Sequence, residues 1–158
     1  MLRDQINTDL TTAMKAGDKR RVSTLRLVNS ALKNADIEAR GAGKEPLSDD
    51  DLLSLLQKMI KQRQESLDIY EKAGRTDLAT QEREEITIIS GYLPQQMNEH
   101  EIAHVVGEML VELGAQSMKD MGRAMAHLKE RFAGKMDFAH ASAVVKRLLS
   151  SVTPHKDG

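Results

Sequence analysis

The segment His100–His104 reads HEIAH, two histidines one helical turn apart with a glutamate between them. In that arrangement a helix face offers two imidazoles to zinc and the glutamate serves as general base. A third ligand is needed, and the position after Gly107 that holds it in one protease subfamily is Leu110. On a wheel of about 100° per residue, both histidines lie opposite the Ile102/Val106/Met109/Leu113 stripe and face water. They also fall in the first turns after a capping Asn98. The pair reads as solvated, and no metal ligand is assigned. A zinc hydrolase through His100 and His104 is kept as an alternative because a metal assay decides it.

Other short patterns are weaker. GAGKE at Gly41–Glu45 is like a phosphate loop but lacks the first glycine of that motif. Glu45 also stands where a Ser or Thr would hold magnesium. The acidic run Asp49–Asp51 sits in a helix first turn, where carboxylates suit the helix dipole, so capping accounts for it. No cysteine is present and no serine lies in a glycine-flanked elbow, so no catalytic nucleophile is assigned. Met118, Met121 and Met125 have the spacing of an adaptable groove, but they run on into Leu128 and Phe132 and read as a core stripe.

Two features carry more. Arg63 falls within an apolar face made of Leu52, Leu56, Met59, Leu67 and Tyr70, where a charge must be paired or reach a cleft. Glu82 or Glu85 of the following helix is the available partner, and a ligand-facing role is the alternative. The segment Lys19–Asn34, KRRVSTLRLVNSALKN, places Lys19, Ser23, Arg26, Ser30 and Lys33 on one line away from its buried stripe. Cations at seven-residue intervals with hydroxyls between them suit a phosphate backbone; a solvated face is the plainer account. Lys15–Lys33 has six cations and one acid, Thr76–Glu112 eight acids and one arginine, and Leu113–Gly158 eight cations and four acids. The formal net charge of −1 hides this asymmetry.

The elements that must position these residues are helical throughout. The first stripe is Leu2, Ile6, Leu10, Ala13 and Met14, ended by Gly17. Asp18 caps a second helix that buries Val22, Leu25, Val28, Leu32 and Ala35. Ser48 with Asp51 opens a third helix, which runs to Gly74 through Leu52, Leu56, Met59, Ile60, Leu67 and Tyr70. A fourth covers about Asp77 to Ser90, and GYLPQQ with Pro94 then breaks the pattern. Asn98 with Glu101 caps a fifth helix ended by Gly114. Ser117 with Asp120 caps a sixth, and Asp137 opens a seventh through Ala141, Val144, Val145, Leu148 and Leu149. No period-two strand pattern occurs. The expectation is an all-α fold of two subdomains, 1–95 and 96–150, with a disordered tail at 151–158.

A chain of 158 residues can bury a real core. The absence of cysteine points to a reducing compartment, and no apolar run has the length of a signal peptide or a membrane span. The expected location is cytoplasmic, with no membrane contact. Four aromatics, Tyr70, Tyr92, Phe132 and Phe138, make a base-stacking platform a poor fit, so nucleic acid would be read through phosphates and shape.

The stretch TLRLVNSALKNADIEARG, followed by QKMIKQRQESLDIYEKAGRTDLATQEREEITIISGYLPQQMNEHEI, resembles the YqeY-like proteins of the GatB/YqeY family. Residues 114–149 look like the tail domain this family shares with the B subunit of the tRNA-dependent aspartyl/glutamyl-tRNA amidotransferase. The signatures are Leu25–Arg26, Lys61–Arg63, Gly74–Leu78, Tyr92–Pro94, and Gly122, Met125 and Gly134. One departure is Met136, which stands where the tail pattern has a smaller residue. The resemblance implies an all-helical fold and a link to tRNA-dependent amide transfer, a carbon–nitrogen ligase reaction whose catalytic parts lie in other domains and subunits. It implies tRNA contact without catalysis by this chain alone and without a cofactor. The expected phosphate contacts are Lys19, Arg26, Lys33, Lys61, Arg63, Lys129, Lys135 and Lys146. The alternative is an adaptor that binds a protein partner through its acidic fourth and fifth helices.

Overall fold

Local signals set the helix ends. The Asp18 side chain accepts from the Arg21 N–H, and Ser48/Asp51 and Asn98/Glu101 both form reciprocal capping boxes. Gly17 and Gly114 close their helices with φ of 71° and 65°, a left-handed turn that a side chain would strain. The computed structural model describes residues 1–152 as α1 (Leu2–Ala16), α2 (Lys19–Gly41), α3 (Asp49–Lys72), α4 (Thr76–Ser90), α5 (Glu99–Leu113), α6 (Met121–Arg131) and α7 (Phe138–Val152). No strand occurs among the described residues, and the all-α expectation holds. Ser151 and Val152 continue α7, contrary to the expected tail, and the rest of that tail lies outside the described residues.

The chain divides into two compact units, Met1–Pro94 and Gln95–Gly158. In the first, α1 packs on α2, α3 on α4, and α2 on α4. Ile6, Leu25, Val28, Leu32, Leu52, Leu56, Met59, Ile89 and Tyr92 form its core. The Tyr92 hydroxyl donates to Asp9, so the end of this unit is tied to α1; burial, then that carboxylate, pushes the phenol up to about 12. In the second unit α5, α6 and α7 surround Ile102, Val106, Met109, Leu128, Val145 and Leu149. There the Met97 N–H donates to the Lys135 carbonyl at 2.8 Å.

Three local expectations change. Ser117 and Asp120 box a 3-10 turn at Met118–Asp120, and α6 starts only at Met121. That turn leaves Met118 exposed, while Met121 and Met125 pack partly against a core centred on Ala124 and Leu128. Met14, assigned to the first buried stripe, is also exposed, because α1 narrows its buried face to Ile6 and Ala13. Met136, the departure in the tail pattern, is fully buried and belongs to the second core.

Candidate nucleic-acid interface

Lys19, Arg26 and Lys33 are all exposed on α2. Seven residues advance a helix by about 10 Å and two turns, so the three cations stand in one row. None has an ion-pair partner among the described residues. Two nearby cations are engaged: Arg20 Nε lies 2.9 Å from Glu84, and Arg3 forks onto Asp36 at 2.7 and 2.8 Å. That fork matters for the field along α2. The Arg3 hydrogen bond, then the Leu47 N–H, holds the Asp36 carboxyl below the usual carboxylate range, so it stays ionised and matched. Leu27 and Ile37 flank the row, 46% and 61% exposed, an apolar edge that the charge pattern did not reveal. The signal was present: Ile37 continues the same i, i+3, i+4 line as Lys33.

Lys61 lies exposed on α3. Arg63 does not join it on the surface. Its Nε donates to Glu85 Oε1 at 2.8 Å and its Nη1 to the Met59 carbonyl at 3.1 Å, with the two side chains 14% and 5% exposed. Gln81 donates to the second Glu85 oxygen at 3.0 Å. The guanidinium is therefore an interior ion pair of the α3–α4 hairpin rather than an open phosphate contact. Glu82 sits beside this pair with its Oε2 buried and unpartnered among the described residues. Burial, then the charge of Glu85, pushes its carboxyl upward, and Arg63 offsets this only in part.

In the second unit Lys129 on α6, Lys135 in the following turn and Lys146 on α7 are exposed, with no ion pair among the described residues. Arg147 stands exposed beside Lys146 and belongs with it. Arg131 does not, because it faces Glu112 at 3.5 Å and covers the Phe132 ring at 5.5 Å.

The remaining motifs resolve into local structure. At GAGKE, the Ala42, Gly43 and Lys44 N–H groups donate to Glu38, Arg40 and Ala39 carbonyls. A loop whose amides close a helix C-terminus has none to offer a phosphate. His100 and His104 are exposed at the start of α5, and His104 lies 3.5 Å from Glu108. No group of three His, Cys, Asp or Glu able to hold a metal occurs among the described residues. The acidic fourth helix is largely matched: Asp77 meets Arg75, Glu84 meets Arg20 and Glu85 meets Arg63.

The family model described as Yqey-like protein matches residues 3–149. The chain is 38% identical over 110 residues to the protein named Altered inheritance of mitochondria protein 41, mitochondrial, of Lachancea thermotolerans. That match covers 68% of this chain and 57% of the relative, so the chain spans little more than half the length of that relative. A protein of the same name from Pyrenophora tritici-repentis is 31% identical over 132 residues, 80% of this chain and 71% of its own. One from Vanderwaltozyma polyspora is 29% identical over 123 residues, 73% of this chain and 64% of its own. These names overturn the cytoplasmic expectation, since the relatives are named as mitochondrial. The lack of cysteine and of a long apolar run does not separate one reducing compartment from another. With only helices among the described residues and a family match over residues 3–149, the chain belongs to the YqeY-like family.

Proposed function

We propose that this protein is an RNA-binding accessory module, directed at tRNA, that grips phosphates along α2 and carries out no chemistry alone. The observation that supports this best is the row Lys19, Arg26 and Lys33. Three exposed cations without ion-pair partners among the described residues share one face of α2, while Arg20 and Arg3 nearby are paired. Phosphate contacts of this kind position a nucleic acid without reading its sequence. The likeness of the tail to the amidotransferase B subunit supports tRNA as the RNA and amide transfer as the associated reaction. Lys61, Lys129, Lys135 and Lys146 are further contacts.

Fluorescence anisotropy of labelled total tRNA across a salt series tests this. Log affinity should fall with log salt at a slope near −3 to −5, the signature of about four to six phosphates. Replacing Arg26 and Lys33 together by alanine should weaken binding and flatten the slope by about one to two units. An unchanged slope in that double variant removes the row from the interface. No binding even at low salt, with partner capture that survives nuclease, selects the protein adaptor instead.

A further inference from the structure

A cavity of about 360 Å³ opens where the start of α2 meets α4, lined by Asp18, Arg20, Arg83, Glu84, Thr87 and Ile88. It begins one residue before Lys19, the first cation of the α2 row. It is wide open to solvent, so a flat group can lie against it without being enclosed. Its charges decide what fits. The lining holds two guanidiniums and two carboxylates, so it has no net positive charge with which to hold a phosphate. Both arginines are tethered at one edge, Arg20 to Glu84 at 2.9 Å and Arg83 to Glu71. A guanidinium tethered at its edge keeps its planar faces for stacking, which is how arginine receives an unstacked base in RNA recognition. The acceptors are also in place. Asp18 Oδ1 takes the Arg21 N–H at 3.1 Å and Glu84 Oε1 takes Arg20 Nε. The second oxygen of each carboxylate is engaged by no hydrogen bond among the described residues. Ile88 supplies an apolar wall.

We propose that this cavity receives one unpaired nucleobase of the RNA whose phosphates lie along α2, and that it favours a base with an exocyclic amine over uracil. The amine donates to the free oxygen of Glu84 or Asp18, as the cytosine amino group donates to carboxylates in groove readout. Uracil presents carbonyl oxygens at the matching edge and meets these carboxylates lone pair to lone pair. Arginine faces thus take the place of the aromatic platform that the composition lacks. The proposal rests on the phosphate reading of α2, and its test separates the two.

Anisotropy with short unstructured oligocytidine and oligouridine, at one moderate salt concentration and then across a salt series, is the experiment. The wild-type protein should bind oligocytidine about tenfold more tightly than oligouridine. Arg83→Ala and Thr87→Trp, one removing a stacking face and one filling the cavity, should each bring oligocytidine down to the oligouridine level. Neither should change the salt slope, because no phosphate contact is lost. Binding of both oligomers with equal affinity, or a preference that persists in Arg83→Ala, overturns the base pocket and leaves the phosphate row standing. Absence of binding to either oligomer at low salt overturns both. Arg83 is on the surface, so Arg83→Ala decides the matter even where the tryptophan variant fails to fold.

Discussion

Replacing Arg63 alone should damage the protein more than replacing Arg63 and Glu85 together. The two side chains are 14% and 5% exposed and 2.8 Å apart in the α3–α4 hairpin. Arg63→Met keeps the aliphatic bulk but strands a carboxylate that water cannot reach. Breaking a buried pair from one side costs about 3–5 kcal/mol. Arg63 retains some solvent contact, which places the expected loss at the lower end, about 3 kcal/mol. The variant also removes the one positive charge that offsets burial of Glu82, so the loss should not fall below that. Arg63→Met with Glu85→Leu removes both charges and leaves the Gln81 amide without its acceptor, while Glu82 loses the repulsion of Glu85 along with the offset from Arg63. That double variant should lie within about 1 kcal/mol of wild type, since hydrophobic replacement of a whole buried pair is often neutral. The coupling energy in the cycle should then exceed about 2 kcal/mol. Urea unfolding followed by far-ultraviolet circular dichroism reads this, with attention to the transition of the first unit, since two compact units need not unfold together. A single variant that loses less than about 1 kcal/mol, or two single losses that simply add, would refute the reasoning.

Glu82→Gln should change the pH dependence of stability. The folded protein holds the Glu82 proton more tightly than the unfolded chain does, so stability falls as pH rises from the unfolded carboxyl value of about 4.3 through the raised folded value. The variant lacks this loss, so its advantage over wild type should grow with pH in denaturant titrations at acid and neutral pH; a constant difference contradicts it. Thr24→Val should stabilise by about 1 kcal/mol, because the Thr24 hydroxyl is wholly buried and unpartnered among the described residues. A lower denaturation midpoint in that variant would mean that the hydroxyl is satisfied after all. Gly114→Ala should cost about 1 kcal/mol through its φ of 65° alone, since a Cβ there meets nothing within 4 Å. An unshifted thermal midpoint counts against that turn.

The sequence alone determined the helices and most of their ends. Helical periodicity and capping act within three or four residues, so Ser48/Asp51, Asn98/Glu101 and Gly114 declare themselves without knowledge of the rest of the chain. The row Lys19, Arg26, Lys33 was legible for the same reason, because seven-residue spacing on a helix is itself a statement about one face. That Arg63 had to be paired or reach a cleft was also plain from its place on an apolar stripe, but the sequence left it among the phosphate contacts.

Tertiary packing decided which partner. Glu82 and Glu85 lie on adjoining parts of α4, and only the way α3 and α4 mesh sets Glu85 on the guanidinium and leaves Glu82 Oε2 without a donor among the described residues. Arg3 and Asp36 are 33 residues apart, so nothing local marks them as a pair. Exposure of Met14 and Met118 and burial of Met136 likewise depend on which neighbour covers each helix edge. The cavity beside Asp18 and Arg83 gathers residues from α4 and the start of α2, 65 positions apart in the chain. A side chain's neighbours across the fold are set by how helices pack, and a helical stripe records only the direction in which it points.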